Sequence, residues 1–319
     1  MSSPTQRIKR SSLTPFLLAG ALGLSLATAG SAASPGTIRT VLVLDRSMLE
    51  PIGIRRPMRL AYDVDGNLHV LDVETRRVVK LDGRGRPLFE AGGYGADEAS
   101  LQLPTDLVVD RNQSLLVLDR VRGALVAFDR AGRFLGLRPF QGAALAEASA
   151  SGARILLDPF GTLWLLATQS RDLIPLSDRL DPARATRYLT PEAAVEAPSA
   201  AAQAGDGFWI YDAAREAVQR YSSSGRFEFA ISPADTAGRF AASGIAGDPA
   251  GSLYVADERG QRLLIYDSSG KLRVERVLGG GKIQWRPAAV AVGPGGIVAV
   301  ASAERCEIQI FSALGEAKP

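Results

Sequence analysis

The sequence predicts an all-β protein: a six-bladed β-propeller of four-stranded antiparallel blades, its ring closed by the strand nearest the N-terminus. Three observations carry that expectation. A pattern of about 46 residues recurs six times. Each copy is a series of short apolar runs separated by turn chemistry. The last copy lacks a final run, and an orphan run near the start of the chain can supply it.

The unit is clearest at residues 103–140, where apolar runs at 106–110, 115–118, 125–128 and 133–137 alternate with polar turns. The third run ends in Asp129-Arg130-Ala131-Gly132. An aspartate heading a turn can accept from its own backbone, and glycine takes positive φ without steric cost, so the chain reverses tightly there. The residue closing the second run marks the period: Asp72, Asp119, Ala167, Asp212, Asp257 and Ser302, spaced by 47, 48, 45, 45 and 45 residues. Turn glycines follow in five of the six units, at Gly85, Gly132, Gly225, Gly270 and Gly315. That length exceeds most helical repeats and suits one four-stranded blade.

Proline, a short apolar strand, Asp, a turn with Gly, an apolar strand ending in Val-x-Asp, then a loop, a strand and a Gly turn is a pattern that resembles the NHL repeat. Leu253-Tyr254-Val255-Ala256-Asp257 followed by Arg262-Leu263-Leu264-Ile265-Tyr266-Asp267 matches it best. The resemblance covers residues 37–319 and implies a six-bladed propeller. It says little of function, because a propeller is a scaffold for many unrelated activities.

Residues 1–33 read as a secretory signal peptide. Arg7, Lys9 and Arg10 form a basic start, residues 16–29 are mostly apolar, and Gly30-Ser31-Ala32-Ala33 offers small residues for cleavage. The apolar stretch is shorter than the roughly 20 residues a membrane span needs, so no stable span is expected after cleavage. The absence of Cys near that region excludes a lipoprotein anchor there. The protein is therefore expected to be exported, to a periplasm or the extracellular space. Removing the segment takes three of the 37 basic residues and none of the 34 acidic ones, leaving 34 against 34. That balance withdraws the support a basic chain would lend to a nucleic-acid partner. The lone Cys306 cannot form an intrachain disulfide, so stability must come from packing and ring closure.

Taken in order, residues 37–44 are a β-branched apolar run belonging to no complete unit. The sixth unit has strands at 289–292, 297–301 and 307–311 and then only residues 315–319, so 38–44 is expected to pair into it as the fourth strand and remove the open edges. Blade one runs from Met58 to about Glu90. It holds the only histidine, His69, three residues before the marker, where other units carry Leu116, Trp164, Trp209, Tyr254 and Ala299. A packed, non-catalytic histidine is expected; zinc-dependent lyases of similar propeller architecture rely on several. Blade two is reached through Gly92-Gly93-Tyr94-Gly95, which leads into a strand, whereas a phosphate cradle leads into a helix. In blade three, 154–188, Ala167 replaces the marker Asp, Pro175 interrupts the third strand, and residues 177–181 replace the glycine turn. Residues 190–204 read as a helical turn or surface loop. Blades four, five and six occupy 201–232, 244–277 and 287 onward. Their first strands carry small residues, such as Gly244, Ala246, Ala289 and Ala291, suited to a crowded axis. Their second strands are apolar on both faces, as sheets packed on both sides require.

The marker carboxylates each precede a loop bearing arginine: Arg76 and Arg77, Arg120 and Arg122, Arg215, Arg259 and Arg262. Their expected role is local, accepting hydrogen bonds that hold these loops. Counted from each marker through its next five residues, the loops sum to −1, which argues against a polyanion groove. RNA-binding NHL propellers use a basic face, so that property does not carry over. A Ser-His-Asp set is not credible with one histidine in a strand. Cys306, beside Glu304, Arg305 and Glu307, has no adjacent base and reads as a surface thiol or partly buried filler. The expected function is a monomeric binding or scaffold module for a protein, peptide or cell-envelope glycan. Its anchors would be the loop arginines with Tyr94, Phe140, Tyr188 and Trp285, expected exposed in the inter-blade connections. No catalytic, cofactor or metal residue is assigned. The alternative is a metal-dependent, lactonase-like hydrolase; similar propellers hold a divalent metal with Glu, Asn and Asp at the channel mouth, whereas Asn67 and Asn112 fall in turns of the other face.

Overall fold

The computed structural model describes residues 38–182, 195–232, 240–279 and 284–313. These form six antiparallel sheets, five of four strands and one of three. The first strand of each, Pro57–Tyr62, Pro104–Val109, Arg154–Leu157, Pro198–Ala204, Ala242–Gly247 and Ala289–Val292, contacts the first strands of both neighbouring blades, and the sixth returns to the first. Six innermost strands thus surround a channel.

Local chemistry builds each hairpin. Asp63, Asp110 and Asp158 end the first strands of blades one to three, and each accepts from backbone N–H groups two and four residues on, at 2.8 to 3.0 Å. The same device, with Asp82, Asp129 and Asp267, turns third strands into fourth. Gly85, Gly132 and Gly270 sit there at φ near +80° for a second reason as well. A Cβ on them would strike Leu44, Phe89 and Phe229 respectively, outer-strand side chains of the preceding blade, at 2.3 to 2.7 Å.

The core is divided into six clusters, one per junction between blades. Second strands feed two clusters at once: Leu115 and Val117 face blade one, while Leu116 and Leu118 face blade three. Ile38–Leu44 pairs antiparallel with Glu307–Ala313, from Ile38 opposite Ala313 to Leu44 opposite Ile308, and completes blade six as expected. It leads to the first blade through a short helix, Arg46–Leu49, capped by Asp45, which accepts from the Ser47 and Met48 N–H groups at 2.9 and 3.2 Å.

Blade three departs from the pattern where the proline foretold it. Its third strand, Asp172–Pro175, ends at Pro175, which cannot donate to a ladder; among the described residues Leu176 N still donates to Leu163 O at 2.8 Å, and a bridge between Leu176 and Pro182 follows. One expectation is corrected and one element was not foreseen. Residues 198–204 form the first strand of blade four, paired with Gly207–Asp212, and not a loop. Residues Ala143–Ala150 form a helix before blade three, buried through Leu145, that the alanine-rich sequence did not announce. The signal segment 1–33, Tyr188 and Gly315 lie outside the described residues. Among the described residues no helix is long and apolar enough to cross a membrane.

Candidate binding face and channel mouth

Register places the sites. Pro57, Pro104, Pro198 and Ala242 at the starts of first strands pair with the marker residues Asp72, Asp119, Asp212 and Asp257, so the channel mouth at that end and the arginine loops share one side of the ring. The four marker carboxylates are fully buried. Asp72 accepts from Arg55 N at 2.6 Å, from Arg56 N, and from Thr75 N at 2.6 Å. Asp119 joins Gln102 and Leu103 to Val121 and Arg122 in the same way. Asp212 takes Glu196, Ala197 and Ala214, and Asp257 takes Ala241 and Gly260. Each marker therefore ties an inter-blade connection to the loop after its own strand.

Those loops share a backbone demand. The residue four beyond each marker, Arg76, Gly123, Arg171, Glu216, Gln261 or Cys306, has φ between 51° and 62°. The left-handed conformation costs a non-glycine residue about 1 kcal/mol, and five of the six units bear that cost.

Most of the arginines on this face are already engaged. Arg77 Nη1 meets Glu90 at 2.7 Å, Arg215 meets Glu196 at 3.0 Å, and Arg259 grips both oxygens of Glu216 at 3.0 Å. Arg120 Nε donates to the Ala150 carbonyl and Arg122 Nη2 to the Asp97 carbonyl, the latter at 2.7 Å. Arg262, expected on the face, is buried, with Asp257 and Glu275 each 2.7 Å away. Arg76 differs: its guanidinium lies 4.6 Å over the Tyr94 ring, which is 68% exposed and whose hydroxyl donates to Glu74 O at 2.6 Å.

Two of the proposed aromatic anchors are corrected. Phe140 is buried in the junction of blades two and three, in one cluster with Leu145 of the helix, Ala153 and Leu180. Trp285 is buried in the junction of blades five and six, with its indole N–H donating to Glu307 at 2.8 Å. Tyr94 is the anchor that stays exposed. Cys306 is likewise fully buried, its thiol donating to Ile54 O at 3.2 Å, and burial pushes its pKa up to about 11, so it is neither a surface thiol nor a nucleophile.

Inside the blades His69 is packed, as expected, with neither ring nitrogen hydrogen-bonded. It lies 3.5 Å from Asp63 Oδ2, and the buried Lys80 Nζ is 2.8 Å from the same oxygen. At equivalent positions the side chain does donate to the turn aspartate: Trp164 Nε1 to Asp158 at 3.1 Å and the Tyr254 hydroxyl to Asp248 at 3.0 Å.

The channel holds charges that reading the strands as strands passed over. Arg59, Asp106 and Arg154 line a cavity of about 300 Å³ together with Ala200, Gly244 and Ala289 from the other three blades. Each of the three charged residues lies thirteen before its marker, so aligning the units would have put them in one column. Asp106 Oδ2 accepts from Ile155 N at 3.0 Å, and Oδ1 stands 3.7 Å from Arg59 Nε. Among the described residues no group of three or more His, Cys, Asp or Glu side chains could hold a metal ion.

No family model matches the sequence, and no curated protein matches it. Solved structures do. A streptogramin B lyase is similar over 89% of this chain and 100% of its own, with a TM-score of 0.66 at 13% identity. The catalytically inactive histidine-to-alanine variant of virginiamycin B lyase from Staphylococcus aureus, with quinupristin, is similar over 87% and 100%, at 0.55 and 12%. The Swd1 (Cps50) propeller domain of Myceliophteria thermophila is similar over 87% and 100%, at 0.61 and 11%. The fold they share with this six-bladed ring is the β-propeller. At these identities the likeness is one of fold.

Proposed function

We propose that the chain is an exported, monomeric NHL-type propeller that binds a protein, peptide or cell-envelope glycan through the face of marker loops and inter-blade connections. The observation that carries this reading is the Arg76–Tyr94 stack: an exposed aromatic ring under a guanidinium, the residue pair that dominates hot spots, on a face where most other arginines already hold carboxylates or carbonyls. Rim ion pairs such as Arg77–Glu90 add little affinity but suit a partner of mixed charge. Export rests on the sequence of residues 1–33. The propeller lyases share the fold, but this chain offers only a buried histidine where their named variant loses activity with one.

The test is a pull-down from an envelope extract with residues 34–319, run beside the Arg76→Ala/Tyr94→Ala variant, with elemental analysis of the same preparation. A stoichiometric protein or glycan retained by the parent and lost by the variant is expected. Undiminished retention by the variant removes the face from the reading; stoichiometric calcium or zinc without a partner points to a hydrolase and to a lactone and ester screen.

A further inference from the structure

The channel mouth is asymmetric in a way that packing does not require. Three consecutive blades place Arg59, Asp106 and Arg154 at equivalent positions, opposite Leu71, Leu118 and Leu166 of their second strands, while the other three blades place Ala200, Gly244 and Ala289 there. Two guanidiniums and one carboxylate thus line the same cavity, a local excess of one positive charge among side chains that are mostly small and aliphatic. Asp106 is largely committed, accepting from the Leu107 and Ile155 N–H groups at 3.1 and 3.0 Å and sitting 3.7 Å from Arg59. Among the described residues Arg154 donates only to the Gly152 and Ala153 carbonyls, both at 3.3 Å, and Arg59 donates Nη1 to Met58 O at 2.7 Å. Burial, and then the field of Arg154, lower the Arg59 pKa to about 10. The two like charges repel, and Asp106, 3.7 Å from Arg59, offsets one of them.

We infer that this mouth binds a small monocarboxylate, its two oxygens held by the forks of Arg154 and Arg59 and its short aliphatic body lying along the alanine-lined side of the channel. Arginine suits a carboxylate because its donors match both oxygens at once. The volume, about 300 Å³, is at the small end of ligand pockets and fits a body of a few carbons. Asp106 sets the charge: a monoanion cancels the excess, whereas a dianion such as phosphate would leave one negative charge uncompensated in the channel. The site does not depend on the Arg76–Tyr94 face, and failure of either leaves the other standing.

Calorimetric titration of the full chain with butyrate tests it, with inorganic phosphate at pH 8 as the competing anion and Arg154→Gln as the variant. Saturable butyrate binding is expected, weakened about tenfold or more in Arg154→Gln at an unchanged melting midpoint, the loss typical of one charged hydrogen-bond pair. Absence of saturation at millimolar butyrate, equal affinity in the folded variant, or tighter binding of phosphate would overturn the assignment. If Arg154→Gln does not fold, Arg154→Lys asks the same question: it keeps the charge and loses the fork, so several-fold weaker binding is expected, and unchanged affinity refutes the site.

Discussion

His69 shows how one residue links packing to pH. The imidazole is enclosed in blade one, edge-on to Phe89 at 5.8 Å. Burial foremost, and then Lys80, push its pKa down to about 4, while Asp63 pulls the other way. The unfolded chain binds a proton near the ordinary pH of about 6.5, which the native state refuses. The contribution of neutral His69 is therefore fully present above pH 6.5 and is lost as pH falls toward 4. Lowering the pH from 7 to 4.5 should cost about 2–3 kcal/mol through this residue. Asp63 does not titrate in that window, since Lys80 and Asn67 hold its carboxyl at about 2. His69→Leu should remove most of the loss, read from urea unfolding at both pH values; an equal loss in parent and variant would assign the pH dependence elsewhere.

At the scale of elements the marker carboxylates do the joining. Asp119 holds backbone donors from the connection at Gln102 and Leu103 and from the loop at Val121 and Arg122. Asp119→Ala would strand those part-buried N–H groups beside a buried site, a loss of about 1–3 kcal/mol, seen as a lower urea midpoint with an unchanged slope. A variant as stable as the parent would show that water replaces the carboxylate. Blade three manages without one: at Ala167, Thr168 Oγ1 donates to Ser151 O at 3.2 Å instead, and that is the blade whose third strand is cut short. The marker's role was legible from its spacing. The left-handed residue four positions later was not, because glycine occupies only one of the six positions.

For the whole molecule, closure is the decisive contact. Ile38–Leu44 supplies the outer strand of blade six, and its ends reach both junctions of that blade: Ile38 packs with blade five's cluster and Leu44 with blade one's. Deleting residues 34–44 therefore exposes a strand edge and opens two clusters together. We expect the single cooperative melt to break into a broad or multiphase transition. A truncated chain melting sharply at the parent midpoint would mean that the ring holds without its closing strand.

The period, the six units, the borrowed strand and the turn chemistry were readable in the sequence because each is local: alternation, turn residues and spacing depend on near neighbours. Exposure was not. Phe140, Trp285, Arg262 and Cys306 all lie in segments that read as connections or loops, yet the adjoining blade covers Phe140, Trp285 and Cys306, and Asp257 and Glu275 of its own sheet enclose Arg262; only tertiary packing decides which side of a loop meets water. The channel is decided the same way. Arg59, Asp106 and Arg154 are 47 and 48 residues apart along the chain and become one site only when the first strands are drawn around a common axis.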